Sequence, residues 1–279
     1  MILITGATGM IGGKIVASLL AEGRACRILT RKPEKAAQFD PRVERAIGDL
    51  DDPETLSAAL AGVDRIFLVT SNTRQDEAVI AVGRRRGLKH IVKLSTQEAG
   101  WTPVRGHGHW HHERQVLIQE SGLEWTFLQP CMFMSATLAW GPSIRQSGIV
   151  RYPGGAGLLA PIDPADIAAV AARALTEPGH AGKSYELTGP ELLSVADMAK
   201  SIGTALGRSI SYEDQTESDF IEDALAMGFP KYLAEGLAET FALIRGGDFA
   251  HLTDAVKKVT GREPRSYVQW LGDHLADFS

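Results

Sequence analysis

Three glycines near the start of the chain stand at a spacing that suits the binding of a pyrophosphate. In Met1-Ile-Leu-Ile-Thr5-Gly6-Ala7-Thr8-Gly9-Met10-Ile11-Gly12 an apolar strand runs directly into the glycines, and a helical segment follows to Ala21. The first glycine permits a tight turn, the second lets backbone approach phosphate, and the third lets the helix pack on the sheet. The helix N-terminus then faces the negative charge. An ordinary glycine turn is the competing reading, and the strand-to-helix junction argues against it. Thr8, Met10 and Ile11, interleaved with the glycines, are expected at the same site.

The second strand, read over 25–30, ends about 20 residues past the glycines, where a dinucleotide site chooses between cofactors. A carboxylate there holds the ribose 2′-hydroxyl of NAD, whereas NADP needs a cation for its 2′-phosphate. The residues present are Arg31 and Lys32, and the first acid is Glu34. A guanidinium grips phosphate through two charge-assisted hydrogen bonds. The expected cofactor is NADP(H).

These residues need a sheet to hold them, and short apolar runs alternate with helical segments along the first half of the chain. Strands are expected at 43–47, 63–69, 90–94 and 125–129, with helices at about 53–60, 74–86 and 110–120. Pro53 suits a first helical turn, and Gly87 and Gly122 suit helix ends. The fold class that follows is α/β, a doubly wound parallel sheet of Rossmann type. Ligands of such sheets sit outside the carboxyl ends of the strands, so Asn72, Ser95 and Gln129 are expected to point at one crevice. An alanine-rich helix opens at Ile162-Asp163-Pro164-Ala165-Asp166-Ile167, and a strand is read over 184–188. From Ser194 the pattern is mostly helical. The domains expected are an NADP-binding domain of residues 1–130 with 161–190, and a smaller, mostly helical substrate lobe of 131–160 with 191–279.

Composition narrows the partners. The chain has 279 residues and a net charge of −5, which argues against nucleic acid or an anionic membrane as partner. Its one dense basic run, Arg84-Arg85-Arg86, falls at a helix end. Cys26 and Cys131 read as buried free thiols of a reducing compartment. The N-terminus enters the first strand at once, and no apolar stretch suits a bilayer span, so a soluble, cytoplasmic protein is expected. A homodimer is compatible with this reading.

The motifs resemble those of the NmrA-like group of atypical short-chain dehydrogenases/reductases. The resemblance rests on Gly6-Ala-Thr-Gly9-Met-Ile-Gly12, Thr30-Arg31, Gly48-Asp49-Leu50, Trp110-His111-x-Glu113 and Ser121-Gly122-Leu123 through Pro130. Pro161 to Ala168, Tyr185 to Pro190 and Gly261-Arg-Glu-Pro264-Arg extend it over nearly the whole chain. It implies Asp49 and Leu50 beside the adenine, and Thr70, Ser71 and Asn72 near the cofactor ribose. It also implies Pro130 to Phe133 beside the nicotinamide. Gln129-Pro130-Cys131 departs from the group, where arginine, proline and a small residue are common.

That group contains both reductases and cofactor-sensing regulators, and a proton donor separates them. Ordinary short-chain dehydrogenases use a tyrosine and a lysine four residues apart. Here no tyrosine precedes Tyr152, and no lysine lies between Lys93 and Lys183. In that region stands Gly106-His107-Gly108-His109-Trp110-His111-His112-Glu113. His107 and His111 have the four-residue spacing, and an imidazole donates protons near neutrality. They are the candidate catalytic residues, against a reading as solvated histidines of a polar loop. A metal is the less favoured use of the same cluster: Gly106 and Gly108 oppose a helix through His107, and no Cys- or Asp-rich motif accompanies it.

Aromatic and sulfur side chains supply the last clue: Met132, Phe133, Met134, Trp140, Phe220, Met227, Phe229, Tyr232 and Phe241. Most should be core, and some should line an apolar pocket. Such a pocket suits a flat, electron-poor substrate, whose reduction places little demand on a protein acid because the developing anion is delocalised. The expected function is therefore NADPH-dependent reduction of a bulky aromatic, quinonoid, azo or polyketide-type compound. The alternative is a non-catalytic NADP(H)-sensing regulator, with an epimerase or lyase a distant third.

Overall fold

The computed structural model describes all residues, 1–279. The chain divides into two compact units, 1–95 with 110–129 and 167–185, and 96–109 with 130–166 and 186–279. The first is built on a seven-stranded sheet. Its strands are β1 (Ile2–Ile4), β2 (Cys26–Thr30), β3 (Glu44–Ile47), β4 (Arg65–Leu68), β5 (His90–Leu94), β6 (Glu124–Pro130) and β8 (Lys183–Leu187), in the order β3-β2-β1-β4-β5-β6-β8. The pairings from β3 across to β6 are parallel, with Ile4 of β1 opposite Ile28 on one side and Phe67 on the other. Strands buried on both faces read as continuous apolar runs, which is why Ile-Leu-Ile and Ile-Phe-Leu form the centre. Strand order reverses between β1 and β4, and that switch point is where a doubly wound sheet opens a crevice.

Helices α1 (Met10–Ala21), α2 (Pro33–Ala36), α3 (Pro53–Ala59), α4 (Thr73–Arg86), α5 (Gly108–Gln119) and α7 (Pro164–Thr176) alternate with these strands. Their ends follow local chemistry. The Asp52 carboxylate accepts from the Glu54 N–H ahead of α3, the Asn72 side chain accepts from the Gln75 N–H at α4, and Gly87 closes α4 at φ +82°. Leu3, Leu56, Ile66, Ile91 and Phe127 belong to one core cluster beneath α3 and α4.

The second unit packs α6 (Gly141–Ser147), α8 (Val195–Leu206), α9 (Glu217–Ala226), α10 (Lys231–Gly246), α11 (Ala255–Thr260) and α12 (Tyr267–His274). Trp140, Met198, Phe241, Tyr267 and Trp270 form its apolar centre.

Three features depart from the sequence reading. The four-residue helix α2 was not foreseen. A parallel pair, β7 (Ile149–Tyr152) with β9 (Ser211–Asp214), lies where β9 was read as helical country. Ser-Tyr-Glu-Asp is polar and carries no strand pattern of its own, so β7 decides its conformation. Residues 96–109, 130, 161–166 and 186–190 group with the second unit rather than the first. Helix α5 begins at Gly108, with His107 outside it, as Gly106 and Gly108 led the sequence reading to expect. No helix is long and apolar enough to cross a membrane.

Candidate cofactor site

The turn after β1 is fixed before any ligand arrives. The Thr5 hydroxyl donates to the Phe67 carbonyl at 3.0 Å and accepts from the Val69 N–H at 2.8 Å, tying the strand end to β4. Gly6 then turns at φ +61°, and the Gly9 N–H donates to the Gly6 carbonyl at 2.9 Å. A Cβ on Gly12 would stand 2.4 Å from that same carbonyl oxygen, and one on Gly9 3.2 Å from it. Helix α1 starts from Gly9 with no side-chain cap and no acid in its first turn. Its N-terminal N–H groups are thus left to an anion. The cradle fits a dinucleotide pyrophosphate.

Beside it lies a cleft of about 200 Å³ lined by Thr5, Gly6, Thr8, Leu29, Thr30, Arg31, Gly48, Asp49, Leu50, Val69, Ser71 and Gln75. The fold therefore brings Gly6, Thr8, Arg31, Asp49, Leu50 and Ser71 together from four separate βα turns. The exposed Arg31 guanidinium stands 3.7 Å from the Asp49 carboxylate. A neighbouring hollow of about 300 Å³ carries Thr8, Gly9 and Lys35 among its lining residues.

Other expected residues sit differently. Gly12 and Ile11 are buried under the loop, whereas Met10 is exposed. Lys32 is exposed at the start of α2 and lines neither hollow. Thr70 turns its hydroxyl inward, and the side chain of Asn72 is spent on capping α4. Ser95 and Gln129 are buried and linked through Gln115, whose amide N–H donates to Ser95 Oγ at 2.6 Å and whose oxygen accepts from Gln129 at 3.2 Å. Pro130 is buried and Phe133 half-buried in the second unit.

Two contributors escaped the sequence reading. Gln75 lines the cleft, accepting from the Ser71 N–H at 2.7 Å and donating to Asp51 at 2.8 Å. Lys35 lines the neighbouring hollow, and the sequence shows it only as a third cation after Arg31 and Lys32.

Behind the cleft wall is a buried ionic cluster. Lys93 Nζ donates to Thr70 Oγ1 at 2.7 Å, and Thr70 donates to Asp76 at 2.8 Å. Asp76 lies 3.4 Å from both Lys93 Nζ and Arg114 Nε, and all three side chains are at most 2 % exposed. The Arg114 guanidinium lies 3.4 Å from the centre of the Trp110 ring. Burial holds the pKa of Lys93 down at about 8, against the opposing pull of Asp76.

The histidine segment is ordered by packing. Gly108 has no room for a Cβ, which would lie 2.6 Å from the Glu98 backbone. The His107 N–H donates to Thr240 Oγ1 at 3.1 Å, and Thr240 donates to the buried Glu98 carboxylate at 3.0 Å. His111, on α5, meets Trp110 edge to face at 4.9 Å. His107 Nε2 and His111 Nδ1 are both buried. A polar knot of the second unit that sequence separation concealed joins Gln97, Glu186 and His251: Gln97 donates to Glu186 Oε1 at 2.5 Å, and His251 Nε2 meets the same oxygen at 2.6 Å. Of the apolar residues expected to form core or pocket, Met227, Phe229 and Tyr232 are instead surface side chains.

Residues 6–178 match the NAD(P)H-binding family. The chain belongs to that family. It is a member of its NmrA-like, atypical short-chain dehydrogenase/reductase branch. The chain is 39% identical over its whole length, and 99% of the relative's, to an NAD(P)H azoreductase of Xenophilus azovorans. It is 36% identical, with 100% and 99% coverage, to a (4-alkanoyl-5-oxo-2,5-dihydrofuran-3-yl)methyl phosphate reductase of Streptomyces griseus. Among solved structures it resembles an NADPH-dependent quinone oxidoreductase from Escherichia coli in complex with NADPH, at a TM-score of 0.86 and 28% identity, covering 98% of this chain and 99% of the other.

Proposed function

We propose that this family member is an NADPH-dependent oxidoreductase that reduces bulky aromatic, quinonoid or azo compounds. The observation that carries the reading is the full-length likeness to an azoreductase, joined to a cleft with a guanidinium at the end of β2. Bound NADPH supplies a hydride. The residues of the chain do the rest: Gly6 to Gly12 and the N-terminus of α1 hold the pyrophosphate, and Arg31, with Lys32 and Lys35 beside it in sequence, receives the 2′-phosphate. Asp49 and Leu50 border the adenine, Ser71 the ribose, and Pro130 and Phe133 the nicotinamide. His111 and His107 are the proposed sources of the proton that accompanies reduction.

The test is NADPH consumption against a panel of quinones, azo dyes and aromatic ketones, with NADH in parallel. Steady turnover on one class, with NADPH preferred, is the expected result. Tight cofactor binding without turnover on any of them would replace this reading with that of a cofactor-sensing regulator.

A further inference from the structure

Two oppositely charged side chains face each other in the cofactor cleft, and the sheet itself brings them together. Thr30 pairs with Ile47 in the parallel register of β2 and β3, and the Gly48 N–H extends that ladder by donating to the Thr30 carbonyl at 3.0 Å. The residues that follow Thr30 and Gly48 are Arg31 and Asp49, so both leave adjacent strand ends, and both line the cleft. Asp49 is held on one side. Its N–H donates to Thr55 Oγ1 at 3.1 Å, and its Oδ1 accepts from the Asp51 N–H at 3.1 Å. The other carboxylate oxygen, Oδ2, stands 3.7 Å from Arg31 Nη1, with Arg31 exposed and Asp49 half-buried. The Asp51 carboxylate is engaged elsewhere, by the Gln75 amide at 2.8 Å.

An ion pair this long at an exposed guanidinium adds little to stability. Its consequence falls on the ligand. Because Arg31 receives the 2′-phosphate, a carboxylate 3.7 Å from that guanidinium lies beside the same group. A phosphate monoester is close to dianionic at neutral pH, and like charges at such range repel. A ribose with a free 2′-hydroxyl brings no charge, and a nearby carboxylate can accept a hydrogen bond from it. The cleft thus carries a determinant for each cofactor, Arg31 for NADPH and Asp49 for NADH. We propose that Asp49 is a specificity-determining residue, which narrows the preference for NADPH and admits NADH to the same cleft. The proposal rests on the assignment of this cleft to the adenosine end of NADP(H), and not on which compound is reduced.

Fluorescence titration of NADPH and NADH tests it, on wild type and on Asp49→Asn and Asp49→Ser. Wild type should bind both cofactors, NADPH the more tightly. In the variants the ratio of the NADH to the NADPH dissociation constant should rise about three- to tenfold, as for removal of one screened like charge. AMP and adenosine 2′,5′-bisphosphate, titrated by calorimetry, should show the same factor, since they carry the difference at the 2′ position without a nicotinamide. An unchanged or lower ratio in a folded variant overturns the proposal. So does a rise with the whole cofactors that the two nucleotides do not share. Wild type that binds NADPH and excludes NADH overturns it without any variant, and wild type that binds neither removes the cleft assignment beneath it. A raised ratio in a protein that turns over no acceptor would support the proposal and sink the proposed function alone.

Discussion

The carbonyl oxygen of Gly6 lies 2.4 Å from the place a Cβ on Gly12 would occupy, and the Ala7 Cα lies 2.8 Å from it. Both obstacles are backbone, so the loop would have to move as a whole. Closure of the loop onto the first turn of α1 is thus a property of this pair.

Gly12→Ala should displace the loop from the helix N-terminus. Overpacking of this kind costs about 1–3 kcal/mol, and cofactor affinity should fall together with stability. Thermal unfolding and NADPH titration of the same variant check both. Unaltered affinity would show that the cradle does not hold the pyrophosphate.

Arg31→Ala should weaken NADPH by about tenfold or more, the value of a charge-assisted pair at an exposed site, and leave NADH nearly unaffected. Lys35→Ala should show the same selectivity with a smaller loss. Fluorescence titration with both cofactors separates the cases, and equal losses for NADPH and NADH would remove the 2′-phosphate assignment.

For the proton, His111→Ala and His107→Ala should each be compared with wild type in kcat and in the pH dependence of kcat. A general acid contributes about 10²-fold or more, so the residue in that role should show a loss of this size and a changed acid limb. Full activity in both variants would assign the proton to water or to the substrate.

His90 makes stability depend on pH. It is buried on β5 with Nε2 2.8 Å from Thr126 Oγ1, and Thr126 donates to the His180 carbonyl. Burial first, and then the charge of Arg65, hold its pKa down at about 4. Between about pH 6.5 and about pH 4 the unfolded chain takes up a proton that the native state refuses, so stability falls on acidification through that window. The loss should approach about 3 kcal/mol. Denaturant unfolding at neutral and acid pH checks it, and His90→Gln should flatten the dependence.

Local sequence carried the glycine cradle, the strand-to-helix alternation and the cation at the end of β2. Each depends on a few consecutive residues: Gly6, Gly9 and Gly12 on backbone freedom and close approach, β1 and β4 on unbroken apolar runs, and Arg31 on its distance from the glycines. Such features are legible because covalent spacing already sets the geometry. Tertiary structure alone decided the rest. Strand β9 became a strand because β7 offered it a partner. Lys93 of β5 meets Asp76 and Arg114, which come from two different helices. Gln97, Glu186 and His251 meet across as many as 154 residues. Contacts of that kind are chosen by the packing of whole elements, and no short stretch of sequence encodes them.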